Sequence, residues 1–238
     1  MTTQGSPARG GLRRKAARVR AELLQAYGRP SWGKRLPAVD ELVATILSQN
    51  TSDINSGRAF GQLLERFGTM EAVRDAALDD LIATIRPAGL ANQKGPRIQA
   101  VLRAITEARG ALDLKFLRKL PPTDARAWLT QFNGVGPKTA SIVLLFSLGV
   151  PAFPVDTHVH RVTGRLGLRP EKLSADDSHE WLEQLFEPET YVDAHINLIR
   201  HGREICHARN PQCEICPLQR LCDDYQRRAS SRPLPRRT

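Results

Sequence analysis

Long apolar runs are missing from this chain. The longest, residues 142–146, is stopped by Ser147 and falls far short of the roughly 18–20 residues that span a membrane. No segment alternates apolar and polar residues convincingly, so strands are not expected. Aromatic residues amount to only 5%, yet a hydrophobic share of 41% is enough for a core in 238 residues, as one large domain or two small ones. An apolar signal-peptide core is lacking as well, and the expectation is a cytoplasmic monomer. The Arg- and Ala-rich N-terminus nevertheless superficially resembles a mitochondrial transit peptide.

Acids are missing from both ends. Residues 1–20 carry Arg9, Arg13, Arg14, Lys15, Arg18 and Arg20 with no acid, and residues 227–238 carry Arg227, Arg228, Arg232, Arg236 and Arg237 with none. The formal charge of +10 therefore sits at the ends. Such ends raise affinity for phosphate backbones and speed encounter; taken alone they also read as solubilising tails. Residues 171–193 are the reverse, with Lys172 the one base among eight acids, and should face away from a polyanion.

What remains is helical periodicity punctuated by Gly and Pro. The pattern predicts helices over 12–27, 40–48, 53–68 (capped by Asp53), 78–85, 96–109, 124–132, 138–148, 157–166, 177–186 and 191–201. The fold class is all-α.

Cysteine is scarce, and all four residues lie near the C-terminus: Cys206, Cys213, Cys216 and Cys222, spaced C-x6-C-x2-C-x5-C. A zinc site usually offers two C-x2-C pairs and here there is one. Disulfides need an oxidising compartment. The compact run with unequal gaps points to a [4Fe–4S] cluster on four thiolates.

Gly134-Val135-Gly136 sits between two helical patterns, followed by Pro137 and Lys138. Two glycines permit a tight turn with positive φ and close approach of a ligand. Free N–H groups at the next helix start can bind phosphate; an ordinary inter-helix turn would look the same. Lys138 begins a helix that is apolar nearly all round. Burial and the helix dipole would both disfavour its ammonium form, which suits Schiff-base chemistry, and a phosphate-binding lysine is the alternative. Asp156 opens the helix after Pro154-Val155. It reads as an N-cap, or as a carboxylate that faces Lys138, takes protons and stabilises positive charge on a sugar ring.

Together, the cysteine spacing, the Gly134–Lys138 hairpin and Val155-Asp156-Thr157-His158-Val159 resemble the endonuclease III family of DNA glycosylases, of the helix-hairpin-helix superfamily. Weaker matches are the 47–53 segment and the 89–94 segment. The resemblance implies a two-lobed all-α protein. A six-helix barrel domain would span 40–150, an iron–sulfur domain would combine 1–39 with 151–226, and 227–238 would form a basic tail. It further implies a bifunctional glycosylase and AP lyase acting on double-stranded DNA with oxidised pyrimidines or abasic sites. Lys138 would be the nucleophile and Asp156 its partner carboxylate. Gln49, Asn50, Leu90, the Gly134-Val135-Gly136 hairpin and Arg209 would meet DNA, with Leu90 as an apolar wedge. The chain departs from the family pattern at Asn50, where glutamine is usual, at Asn133, where proline is usual, and between Cys206 and Cys213, where Asn210 and Gln212 leave few bases.

Overall fold

In the computed structural model, residues 7–31 and 35–230 are described. They contain helices and turns and no strand. None of these helices is long and apolar enough to cross a membrane. Contacts divide the chain into two compact units, one formed by Gly33–Ala152 and one by Met1–Trp32 with Phe153–Thr238.

The central unit holds α2 (Ala38–Ser48), α3 (Asp53–Phe67), α4 (Met70–Asp75), α5 (Leu78–Ile85), α6 (Ala91–Arg109), α7 (Pro122–Thr130) and α8 (Pro137–Ile142). A π-helical stretch, Val143–Leu148, prolongs α8. Leu42, Val43, Ile46 and Leu47 put one face of α2 into the core, where they meet Leu63, Leu81, Ile98, Leu102, Leu129 and Leu144. Truncating any fully buried leucine in this cluster to alanine costs about 2–5 kcal/mol.

Several helix boundaries differ from expectation, and three departures are instructive. The cap of α3 is Ser52, whose hydroxyl accepts from the Asn55 amide, and Asp53 is already helical. The short helix α4, capped by Thr69, was not expected. Helix α6 begins five residues before Pro96. Gly95-Pro96 looks like a break, but the missing side chain at Gly95 serves packing: a Cβ there would stand 2.9 Å from Ile82 Cγ1, so glycine lets α5 and α6 approach closely.

The second unit holds α1 (Pro7–Tyr27), α9 (Thr157–Arg165), α10 (Ser178–Glu183), α11 (Tyr191–Glu204) and α12 (Asp223–Ser230). Ala16, Val19 and Leu23 recur on one face of α1 and are buried, with α11 as the main packing partner. The bases of α1 are largely engaged within the unit. Arg20 pairs with Asp193, Lys15 with Asp223, Arg13 donates to the Gln184 carbonyl and Arg9 lies over the Trp181 ring. Three of those partners fall within the acid-rich 171–193 stretch, though only Asp193 among them is an acid. Four of the six N-terminal bases are thus engaged within the unit, while Arg14 and Arg18 are exposed. Arg227 and Arg228 stand in the last turn of α12, and Arg232, Arg236 and Arg237 lie outside the described residues.

Candidate active site and metal centre

In the central unit, Lys138 is the second residue of α8. Gly136 is its N-cap, extended at φ −85° and ψ 176°, and Pro137 fills the first turn without a side-chain cap. Lys138 is half-buried. A carboxylate stands within electrostatic reach of it: Glu41 of α2, whose pKa is raised by burial, with the Thr45 hydroxyl and the Lys138 charge acting the other way. Nothing in the sequence marks Glu41, because it falls in an unremarkable helical turn.

The hairpin before α8 is tightly built. Gly134 takes φ +87° and a Cβ there would meet the Arg97 side chain at 2.1 Å, so Arg97 lies across it. Val135 is buried and its N–H donates to the Phe132 carbonyl. Its side chain and N–H shape the turn. Gln49 is also turned inward. Its Nε2 donates to the Gly134 carbonyl at 3.2 Å and lies 3.4 Å from Thr139 Oγ1, while its Oε1 accepts from Arg97 Nη1 at 3.2 Å. Asn50, in the left-handed region at φ 54°, is exposed instead. Leu90 is the second left-handed residue, at φ 50° and ψ 32°, and 48% of its surface is open. A β-carbon at positive φ is unfavourable, and here it coincides with an exposed leucine.

Beneath these two loops lies Lys94 of α6, only 2% exposed. Its Nζ donates to the Leu47 carbonyl at 2.7 Å and the Ala88 carbonyl at 2.8 Å. Burial, and secondarily the Arg97 charge, hold its pKa below the ordinary lysine range.

In the second unit, Asp156 caps α9: its Oδ1 accepts from the Val159 amide at 2.7 Å. The cap engages one carboxylate oxygen. Lys138 and Asp156 thus each stand at a helix N-terminus, one in each unit.

The four cysteines, none in a disulfide, line one small cavity of about 20 Å³ with Val162, Leu166, Ile205 and Leu218. Donors are aimed at three of the sulfurs. Arg165 Nη1 lies 3.3 Å from Cys206 Sγ, Arg228 Nη2 3.4 Å from Cys213 Sγ, and His201 Nε2 3.6 Å from Cys216 Sγ. Burial pulls His201 down to about 4, so its ring is neutral near pH 7 and carries one N–H. Its Nδ1 is 2.9 Å from the Tyr27 hydroxyl. If Tyr27 donates there, Nε2–H is left for the sulfur. Burial, with the neighbouring thiols, pushes Cys216 up to about 11, and burial raises Cys222. Only a strongly positive centre would hold these groups as thiolates. Four unpaired cysteines around an apolar hollow, with N–H donors on their sulfurs, fit an iron–sulfur group. Arg165 also donates to the His207 and Ala208 carbonyls, fixing the loop on which Arg209 stands exposed.

This frame matches what is known of other proteins. Residues 43–188 match the HhH-GPD superfamily of base excision DNA repair proteins, and residues 206–222 match the iron-sulfur binding domain of endonuclease III. Endonuclease III of Sulfolobus acidocaldarius is 35% identical over 195 residues, covering 81% of this chain and 85% of that protein. Endonuclease III of Thermotoga maritima is 35% identical over 187 residues, covering 79% and 83%. A solved non-covalent endonuclease III–DNA complex superposes with a TM-score of 0.77 at 28% identity, over 92% of this chain and 99% of that one. A thermostable thymine-DNA glycosylase shares the fold, with a TM-score of 0.74 at 21% identity over 90% and 98%. The fold and site thus define a helix-hairpin-helix base-excision-repair protein. Within that class the chain belongs to the endonuclease III family of DNA glycosylases and carries the family's iron–sulfur domain.

Proposed function

We propose that the protein removes oxidised pyrimidines from duplex DNA and then cuts the strand as an AP lyase, acting as a monomer. The observation that carries this reading is Lys138, a half-buried amine at the first turn of α8, directly after the glycine hairpin. A lyase needs an amine that joins the sugar covalently. Extrusion of the damaged nucleotide exposes its C1′. The neutral Lys138 amine attacks C1′, the C1′–N bond breaks, and the base leaves with a proton. Ring opening gives a Schiff base between Nζ and C1′. Loss of a C2′ proton then expels the 3′ phosphate oxygen, and water returns the amine. Asp156 is the carboxylate that takes the amine's proton and offsets positive charge on the sugar.

On the DNA side, Asn50 and Leu90 fill the space the nucleotide leaves, the Gly134–Gly136 turn and Arg209 hold phosphates, and Gln49 steadies the hairpin. Leu90→Ala should weaken affinity for abasic duplex roughly tenfold or more, a share of the few kcal/mol of unstacking that the wedge offsets. Thermal stability should change by no more than about 0.5 kcal/mol. A large fall in melting temperature with normal DNA affinity would mark Leu90 as an ordinary core residue.

The cluster on Cys206, Cys213, Cys216 and Cys222 is assigned as [4Fe–4S]. The run offers a single C-x2-C pair, Cys213 and Cys216, where a structural zinc site usually offers two. Protein purified anaerobically from iron-replete cells should be yellow-brown, with broad absorption in the blue and about four irons per chain. A colourless product with one zinc would refute the assignment.

The decisive experiment is borohydride trapping on duplexes bearing an oxidised pyrimidine or an abasic site. Covalent adducts and strand scission are expected on both. Base release without trapping would reassign the protein as a monofunctional glycosylase, and neither activity would make it a DNA-binding iron–sulfur protein without turnover.

A further inference from the structure

Two loops of the central unit carry the residues assigned to fill the DNA stack, and the same side chain holds both. Asn50 lies three residues beyond Leu47, in the turn that ends α2. Leu90 lies two beyond Ala88, in the turn that leads into α6. Both probing residues adopt left-handed backbone, a conformation that costs a non-glycine residue of order 1 kcal/mol or more unless its surroundings enforce it. Helix termini leave carbonyls unpaired. Here the Leu47 and Ala88 carbonyls both accept from Lys94 Nζ, at 2.7 and 2.8 Å. One ammonium thus closes two chain ends where carbonyl dipoles point outward, the end of a helix most favourable to a cation.

A hydrophobic residue would satisfy the volume here but leave two buried acceptors without donors. A surface lysine would gain nothing from the loops. Both N–H···O bonds lie in a nearly dry setting, where hydrogen bonds are stronger than in water. Three residues on, one helical turn along α6, Arg97 donates to Gln49 and lies over Gly134. The start of α6 therefore ties the Asn50 loop, the Leu90 loop and the hairpin to one rigid element.

We infer that Lys94 is a positioning residue that presets the Asn50 and Leu90 loops as one unit for filling the gap left by an extruded nucleotide. Holding both loops in advance removes the ordering cost at the moment of DNA binding. The inference rests on the wedge assignment of Asn50 and Leu90, and its test separates the two.

A single-stranded abasic oligonucleotide has no stack to refill, so Lys138 chemistry on it needs no wedge. The readout is the ratio of lyase kcat/KM on abasic duplex to that on abasic single strand, measured with full-length holoprotein. Lys94→Met should lower this ratio about tenfold or more, mainly through KM on duplex, with single-strand cleavage near the wild-type level. Lys94→Gln retains two N–H donors and should fall between. General destabilisation would depress both substrates alike and leave the ratio unchanged, which would overturn the proposal. Leu90→Ala is run alongside. If Leu90→Ala has a wild-type ratio, the wedge assignment has failed. If Leu90→Ala loses the ratio and both Lys94 variants keep it, the positioning role has failed. Should Lys94→Met not fold, Lys94→Gln is judged on the same ratio, and a wild-type value there overturns the proposal.

Discussion

Replacing Lys138 by glutamine should reduce strand scission and borohydride-trapped adducts to background while abasic DNA is still bound. Glutamine keeps much of the length and polarity of the side chain, and α8 has its N-cap at Gly136 and Pro137 in its first turn, so the helix start is not put at risk. What is lost is the one group able to form a Schiff base with C1′. Asp156→Asn is the companion. Asparagine caps a helix about as well as aspartate, and the accepting atom towards the Val159 amide can remain an oxygen. Fold should therefore be retained and the rate should fall on the order of 10²–10⁴-fold, the usual worth of a positioned acid–base group, with some trapping left. Adduct formation by Lys138→Gln at the wild-type rate would place the nucleophile on another amine.

How much of this was legible in the chain depended on which forces acted locally. The cysteine run, the hairpin and the Asp156 cap are contiguous, and contiguous chemistry leaves a spacing that can be read. So do helices with a repeated apolar face, such as α2 and α5. Gly95 misled because glycine signals a break as readily as a close helix crossing, and only the neighbouring Ile82 decides between them. Helix α12 left no trace, since Asp223–Ser230 has no buried residue; its lasting contacts are polar ones such as Arg228 to Cys213. Lys94, Arg97 and Glu41 were invisible for a different reason. Each matters through partners far off in sequence, Leu47 and Ala88 for the first, Gln49 and Gly134 for the second, Lys138 for the third. A lone lysine in a helix reads as solvent-facing until tertiary structure closes over it.

Loss of the cluster should have the largest effect on stability. Cys216→Ala removes a ligand whose sulfur sits beside His201 in the cavity shared with Cys206, Cys213 and Cys222. Few apolar side chains pack within 206–230, where Leu218 alone is fully buried, so this segment depends on its metal bonds, as small metal-bound modules do. The variant should be purified without visible colour. Limited proteolysis should cut within 206–230 early, while the 33–152 unit, with its own leucine-rich core, survives as a resistant fragment with helical circular dichroism. Equal resistance of wild type and variant across 206–230 would show that hydrogen bonds such as those of Arg165 to His207 and Ala208 hold the segment without metal.

The pairing of α1 with α11 has a consequence for biosynthesis. A ribosome delivers α1 first, but the helix against which Ala16, Val19 and Leu23 pack lies more than 160 residues downstream. Nascent domains fold as units once their sequence has emerged. The 33–152 unit can complete its core during synthesis, whereas α1 must wait with an uncovered apolar stripe until α11 is made. The order of maturation is thereby written into the chain: the lysine-bearing unit first, the metal-bearing unit only once α11 and the cysteine run have been made. A stalled or truncated product would present a folded hairpin beside an unpartnered first helix, a form that quality-control proteases should recognise.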